Sequence, residues 1–452
     1  MKYWALLGTF FLAVSSLSQQ SDTVLFDKEP MSMAQFFSQG NFSGNFRSFT
    51  LSTINYGDLN DYFTNAAGAS ISYKSARFYG LMFGLTGDFV FKTFSNDLNR
   101  IDTIVGKASS YEMQLYDVEN PTNFKDLSRL QELYVDYSGK KINIKLGRQK
   151  IATPMVNEHD GRMVPKVFSG VNVGYTPKVN LRFNAYYLVG ASPRSTMRWN
   201  SLENDIGIYS NGYLWNGDKA SYHNYVQSNG LGILGMSYKL KKCNYEVWNY
   251  YLDNIVNSTL LKVGLEKDTG FYGGVMGMIQ LPLGNGGSND LDHTYYLPNT
   301  QTYAVSGMLG YTQKGYSGEI AGTWISNHGR FTFPREFGVD PFYTFISRSQ
   351  LEGFGDALAW RFTTGKTIKN WDLKLHWVSV KTSSDFALNK YGIPSYWQLN
   401  TDINWRANKT LKGLSMRFLY VYRGAFSNEI SPIQRFNKSD FHQFNFILNY
   451  AF

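Results

Sequence analysis

Along most of this chain, apolar and polar side chains alternate with a period of two, the pattern of β-strands with one greasy and one wet face. Residues 397–406 are the cleanest case. Trp397, Leu399, Ile403 and Trp405 share one face, and Gln398, Asn400, Asp402, Asn404 and Arg406 the other. In 371–377, Trp371, Leu373, Leu375 and Trp377 alternate with Asp372, Lys374 and His376. In 141–146, Ile142, Ile144 and Leu146 flank Lys145. The end of the chain repeats the motif, with Phe444, Phe446, Leu448, Tyr450 and Phe452 against Asn445, Ile447, Asn449 and Ala451. About 18 such strands are predicted over residues 44–452, an even number as single-chain bacterial barrels require.

Two kinds of connection take turns between them. One kind is short, as at Lys74–Ala76, Ser138–Lys140, Thr176–Lys178, Lys241–Cys243, Lys267–Gly270, Lys314–Gly315, Thr364–Lys366 and Asn408–Thr410. The other is long and polar: residues 95–127, 151–169, 191–228, 283–300, 328–351, 382–394 and 426–440. A soluble sandwich has no reason to segregate loop lengths in this way. The pattern predicts an all-β, up-and-down antiparallel transmembrane barrel with short periplasmic turns and long extracellular loops.

Composition sharpens that expectation. Aromatics make up 17% of residues while mean hydropathy is negative, which suits a chain whose apolar side chains form an outward belt. Beyond the first residues no stretch approaches the roughly 18 consecutive apolar residues a membrane helix needs. Lys2, the apolar run from Trp4 to Val14 and the small residues Ser15, Ser16 and Ser18 resemble an export signal ending near Gln19. The expected layout is a signal at 1–19, an N-terminal periplasmic segment at 20–43 and the barrel from 44 to 452. Cys243 is the only cysteine, so no internal disulfide or cysteine metal cluster is expected. The net charge of +9 suits Lys-rich turns, contact with anionic surface glycolipid and a positive lumen better than nucleic acid.

The alternation sorts charged residues into the lumen. Lys145, Arg182, Lys262, Arg361, Lys374, Arg406, Arg417 and Arg423 face inward, as do Glu132, Asp136, Glu266, Glu319 and Asp372. Such residues either cross-link the wall or form a ladder of cations that guides an anion; the sequence leaves both open.

Two outward loops are dense in Pro, Gly, Arg and Asp. The third follows Leu146-Gly147-Arg148-Gln149 and contains Asp160-Gly161-Arg162-Met163-Val164-Pro165-Lys166-Val167-Phe168-Ser169-Gly170. The seventh contains Phe333-Pro334-Arg335-Glu336-Phe337-Gly338-Val339-Asp340-Pro341-Phe342 and then Arg348. Together they resemble the OprD family of outer-membrane porins, which shows a Leu-Gly-x-Gln strand end, an Asp-Ser-Arg-type turn with Pro and Phe-x-Gly after it, and a Pro-Arg-Glu-x-Gly-x-Asp-Pro-Phe run. The chain departs from the family at Gly161, where Ser is commoner, and at Val339, where many relatives carry Arg. The resemblance implies an 18-stranded monomer whose third and seventh loops fold into the lumen and narrow it. It also implies basic residues that recognise carboxylates. Carried onto this chain, the constriction residues are Arg148, Asp160, Arg162, Lys166, Arg335, Asp340 and Arg348. A guanidinium binds a carboxylate through two directed hydrogen bonds, which favours Arg162 and Arg335 in that role.

The function expected is passive, partly selective diffusion of small hydrophilic solutes, anionic or zwitterionic, with carboxylate-bearing nutrients foremost. No catalytic residue, cofactor or metal is expected, and the partners are membrane lipid and surface glycolipid. The alternatives are a barrel acting as an adhesin or envelope-complex subunit, or a barrel hydrolase. The six His residues are scattered, and neither Gly-x-Ser-x-Gly nor His-Glu-x-x-His occurs. Asp290 and Asp292 at a loop tip are read as solvated rather than as a calcium site.

Overall fold

The computed structural model describes residues 32–452 apart from Asp268, with nothing of the Lys409 side chain. The expected signal and the first half of the expected N-terminal segment therefore lie outside the described residues. Residues Met33–Ser38 form a helical turn and a half, begun by a capping box between Ser32 and Gln35. It is tied to the end of the barrel that carries the short turns. The Phe36 carbonyl accepts the Ala76 N–H at 3.0 Å, and the Phe37 carbonyl accepts the Tyr73 hydroxyl at 2.6 Å.

The wall consists of β1 (Asn41–Ile54), β2 (Tyr62–Lys74), β3 (Leu81–Ser95), β4 (Leu127–Ser138), β5 (Ile142–Gln149), β6 (Val167–Lys178), β7 (Leu181–Ser192), β8 (Leu231–Leu240) and β9 (Cys243–Leu252). It continues with β10 (Val256–Leu265), β11 (Gly270–Pro282), β12 (Thr302–Gln313), β13 (Tyr316–Ile325), β14 (Ala357–Ile368), β15 (Trp371–Lys381), β16 (Tyr396–Arg406), β17 (Leu414–Ala425) and β18 (Phe441–Ala451). Each pairs antiparallel with its neighbours in sequence, and β1 pairs with β18 from Asn45 opposite Ala451 to Ile54 opposite His442. The sheet is closed. A further two-residue strand, Asn200–Ser201, lies against β7 inside a loop.

Two details of the connections differ from expectation. The reversals expected at Thr176–Lys178 and Thr364–Lys366 lie inside β6 and β14, and the chain turns at 179–180 and 369–370 instead. Polar residues near a membrane rim read as turns by composition, yet at 369–370 a left-handed residue sets the corner. Lys369 takes φ 50°, and Lys314 with Gly315 takes φ 50° and 79°, the pattern of a two-residue hairpin. The outward connections 55–61 and 253–255 are short, so the loops alternate strictly in side but not in length.

The outward face is apolar as the alternation requires. Leu146 is 61% exposed and Phe446 45%, while the inward Gln398 and Gln443 are fully buried. Near the short turns aromatic side chains pair across strands, as Trp371 with Trp405 at 6.2 Å and Phe271 with Tyr311 at 4.9 Å between ring centres.

The interior is less uniformly wet than the alternation suggests. Residues 326–356 bring Phe333, Phe337 and Phe354 inside, where they join Phe168, Leu188 and Tyr250 of the wall in one buried apolar cluster. A second cluster joins Phe49, Leu51 and Tyr62 of the wall to Leu115 and Tyr116 of 96–126 and to Met163 and Val164 of 150–166.

The Leu-Gly-x-Gln end of β5 has a mechanical reason. Gly147 takes φ 121°, and a Cβ there would stand 2.2 Å from the Leu133 carbonyl oxygen. Gly170, paired with Gly147 across β5 and β6, would bring a Cβ within 2.1 Å of the Tyr187 carbonyl. The backbones therefore crowd together where the third loop leaves the wall. The buried Gln149 donates Nε2 to the Gly170 carbonyl at 3.1 Å and secures the crossing. Replacing Gly147 by Val is expected to cost about 1–3 kcal/mol, read as a lower urea midpoint for loss of the folded barrel; an unchanged midpoint would show that the crowding is relieved at no cost.

Candidate functional site

The eight lumen cations predicted from alternation all take the inward parity of their strands, but they do not form a bare ladder. Arg417 binds Asp402 through two bonds of 2.9 and 2.7 Å. Arg361 meets Glu319 at 2.8 Å, Lys374 meets Asp372 at 3.0 Å and Lys262 stands 3.8 Å from Glu246. Arg182 donates to Asn184. Lys145 sits 4.4 Å from the centre of the Tyr134 ring. Arg423 donates Nε to Gln398 at 2.9 Å and stacks 4.2 Å from the Tyr396 ring. Arg406 is exposed at the short-turn rim. Arg417, Arg361, Lys374 and Lys262 are thus matched by carboxylates and cross-link the wall, each pair worth about 0–1 kcal/mol where the lumen is wet.

The third and seventh loops brace one another inside the barrel. Lys166 is buried, and its Nζ donates to the carbonyls of Arg335 at 2.5 Å and Gly338 at 2.6 Å, stapling the third loop to the seventh. Asn157 N–H adds a bond of 3.1 Å to the Phe337 carbonyl. Gly338 is required there, since a Cβ would fall 1.8 Å from the Met155 carbonyl oxygen. Arg129 of β4 ties both the third and fourth loops to the wall. Its Nη2 meets Asp88 at 3.0 Å and the Pro165 carbonyl at 2.8 Å, while Nη1 meets the Ser192 hydroxyl of β7 at 3.0 Å and the Pro193 carbonyl of the fourth loop at 3.3 Å.

These contacts revise the predicted site. Arg148 pairs opposite Leu133 and Ser169, shares the outward parity of Leu146, and lays its guanidinium 4.6 Å from the Trp199 ring. It belongs to the outer wall, not to the constriction. Arg162 is 1% exposed and donates Nη2 to Gln114 at 2.7 Å. Asp340 is buried and accepts the Leu351 N–H. Arg162, Lys166 and Asp340 therefore hold the loops rather than face an open passage. Asp160, Arg335 and Arg348 keep solvent contact. The Asp160 carboxylate is clasped by Arg47 of β1 at 2.5 and 2.7 Å. Arg335 donates Nε to Gln350 at 3.1 Å and lies 5.2 Å from the Tyr391 ring. Arg348, at φ 72°, reaches Gln443 and Asn445 of β18 and lies 5.0 Å from the Tyr111 ring.

Sequence reasoning did not find Arg194. It stands in the fourth loop, with Nη1 3.0 Å from Nδ1 of His159. A Cβ on Gly161 would lie 3.1 Å from that same Nη1, so the departure from the family's Ser makes room for this guanidinium. No local pattern marks Arg194, because its partners come from another loop. Arg129 and Arg47 carried a signal, namely their inward parity.

The electrostatics of the loops follow from burial. Arg162, Arg194, Arg335 and Arg348 are held by amides, carbonyls or rings, and guanidinium groups remain charged throughout the working pH range. Nearby carboxyls behave differently. Burial pushes Asp340 up to about 7 and raises Glu336 and Glu112 despite the hydrogen bonds they accept. Burial, reinforced by the charge of Arg194, holds His159 well below the ordinary histidine range, so it is neutral and able to accept from Arg194.

A closed barrel with a lipid-facing apolar belt, a polar wall and loops packed inside it has the architecture of the outer-membrane barrels. Residues 126–272 match the family described as outer membrane porin, OprD family, a stretch that includes the third loop but ends before the seventh. Solved structures share the fold. The BenF-like porin of Pseudomonas fluorescens is 12% identical with TM-score 0.71, covering 92% of this chain and 99% of its own. OpdG of Pseudomonas aeruginosa is 15% identical with TM-score 0.70 over the same shares. OpdK of Pseudomonas aeruginosa, solved with vanillate, is 12% identical with TM-score 0.69, again over 92% and 99%. Comparison with curated proteins found no match. Residues 126–272 thus resemble the OprD porins, and the solved structures share the closed-barrel fold of the whole described chain.

Lys166→Met is expected to leave the Arg335 and Gly338 carbonyls unpaired at about 1–3 kcal/mol each. The expected readout is faster proteolysis within 326–356 and larger single-channel conductance. Unaltered cleavage and conductance would mean that the apolar cluster alone holds the two loops together.

Proposed function

We propose that the chain conducts small solutes carrying both a carboxylate and an ammonium group, by passive diffusion and without any chemical step. The observation that carries this reading is the contrast between loop entrance and constriction. The nine outward loops hold 23 acidic and 15 basic residues, so the entrance favours an ammonium group. Within it stand Arg335 and Arg348, charged, partly exposed and bound only to neutral partners, which favour a carboxylate. Weak binding at two sites of opposite preference allows entry without trapping. Arg162 and Lys166 act by holding the loops in place, and Asp160 by orienting Arg47 toward the third loop. A carboxylate without an ammonium, such as the vanillate bound by OpdK, gains at Arg335 and Arg348 but not at the entrance. The working form is taken as a monomer, and the chain is not assigned an enzymatic role.

The test is the reversal potential across a KCl gradient in a planar bilayer, followed by current block with amino acids, vanillate, simple amines and neutral sugars. Amino acids are expected to block most strongly and sugars least. Arg335→Ala together with Arg348→Ala should raise conductance and shift the reversal potential toward cation preference. Equal block by every class, with an unmoved reversal potential in the double variant, would sink the reading.

Asp340 adds a pH dependence. Its folded value of about 7 lies above the ordinary 3.8, so the folded loop binds the proton more tightly than the unfolded chain. The resulting stabilisation is complete below pH 3.8 and is lost as pH rises through 7. Over the same interval a negative charge appears beside Arg335, so anion preference is expected to fall between pH 5 and 8. Asp340→Asn should flatten that slope; a slope identical to wild type would assign it to another group.

A further inference from the structure

Charge is distributed unequally between the two ends of the barrel. The eight short turns carry 10 basic and 2 acidic residues, against 15 basic and 23 acidic in the nine outward loops. At the short-turn end Lys140, Lys141, Lys241, Lys314, Lys369 and Lys412 are all exposed. Among the described residues none of these six is in an ion pair, whereas Lys239 and Lys267 at the same end meet Glu266 and Glu319. The six stand on five different turns, so they ring the perimeter rather than form one patch. Each follows directly on the outward aromatic and aliphatic belt. Lys314 lies between Tyr311 and Tyr316, and Lys369 lies between Ile368 and Trp371, all four exposed on the outer face. A lysine in that position can lay its stem along the belt and place its ammonium at headgroup level.

We propose that the short-turn rim is a seat for anionic phospholipid headgroups, holding a shell of such lipid in the leaflet at that end. A leaflet is the partner that reaches every turn of a closed ring at once, whereas a folded protein would meet only one arc of it. Charge complementarity supplies the attraction, and the aromatic belt sets the depth at which it acts. The ring also gives the barrel a direction, since the opposite, acidic end would repel the same lipids. None of this depends on which solute permeates.

The test uses the whole barrel in phosphatidylcholine vesicles doped with spin-labelled phosphatidylglycerol or spin-labelled phosphatidylcholine. Electron paramagnetic resonance reads the motionally restricted fraction of each. The wild type is expected to prefer the anionic lipid about threefold at low salt, falling to about one at 1 M NaCl. Changing the six lysines to Gln should abolish the preference, while unchanged single-channel conductance shows that the variant is folded. Lys107→Gln, Lys125→Gln and Lys219→Gln in the long loops should leave it intact. Equal association of both lipids with the wild type would overturn the proposal, as would a preference that survives in the six-lysine variant. So would binding of heparin by the rim in detergent with no lipid preference in the bilayer.

Discussion

Closure of the sheet is the constraint on which everything else rests. In hydrocarbon an unpaired backbone N–H or C=O costs several kcal/mol, so an open strand edge cannot face lipid. Here β1 and β18 remove the last edge. Gly44 and Phe452 exchange both backbone bonds at 3.0 Å, and a Cβ on Gly44 would fall 2.4 Å from the Phe452 ring. The glycine lets the final aromatic lie across the seam, where it stacks near Phe46 at 5.6 Å. Closing 18 strands then fixes a cylinder too wide for side chains alone to fill. The width of the passage passes to the loops.

Those loops fold inward only because their polar groups find partners there. A loop brought into a barrel carries backbone donors and acceptors that must be satisfied away from bulk water. Arg129 and Lys166 do much of this, each gathering carbonyls from a different chain segment, while Phe333, Phe337 and Phe354 bury the apolar side of the seventh loop. The same economy shapes the chemistry of the site. Cations of the wall are largely matched by carboxylates on adjacent strands; Arg335 and Arg348 of the seventh loop are held by neutral groups, while Lys150, Lys390 and Arg435 of the loops meet Glu158, Glu352 and Asp440.

The strand pattern was legible to within a few residues. In β15 and β16 every inward and outward assignment from Trp371 to Trp405 agrees with the observed pairing. Arg148 is instructive because the same parity already places it beside Leu146; its position within a family motif outweighed the simpler rule. Arg162, Lys166 and Asp340 are different. Their loops are marked by composition, but whether these residues face solvent depends on how two loops more than 150 residues apart meet. Arg194 was invisible for the same reason, since its partner His159 comes from another loop.

What the sequence determined by itself is the part governed by local periodicity: strands of period two, an apolar face for lipid, a polar face for the lumen and an aromatic rim beside basic turns. A strand reports its own two faces because neighbouring side chains point oppositely, whatever the rest of the chain does. Tertiary structure alone decided which loop charges are buried as braces and which stay free to meet a solute. Burial of a loop side chain is set by packing partners distant in sequence, and no periodicity records them.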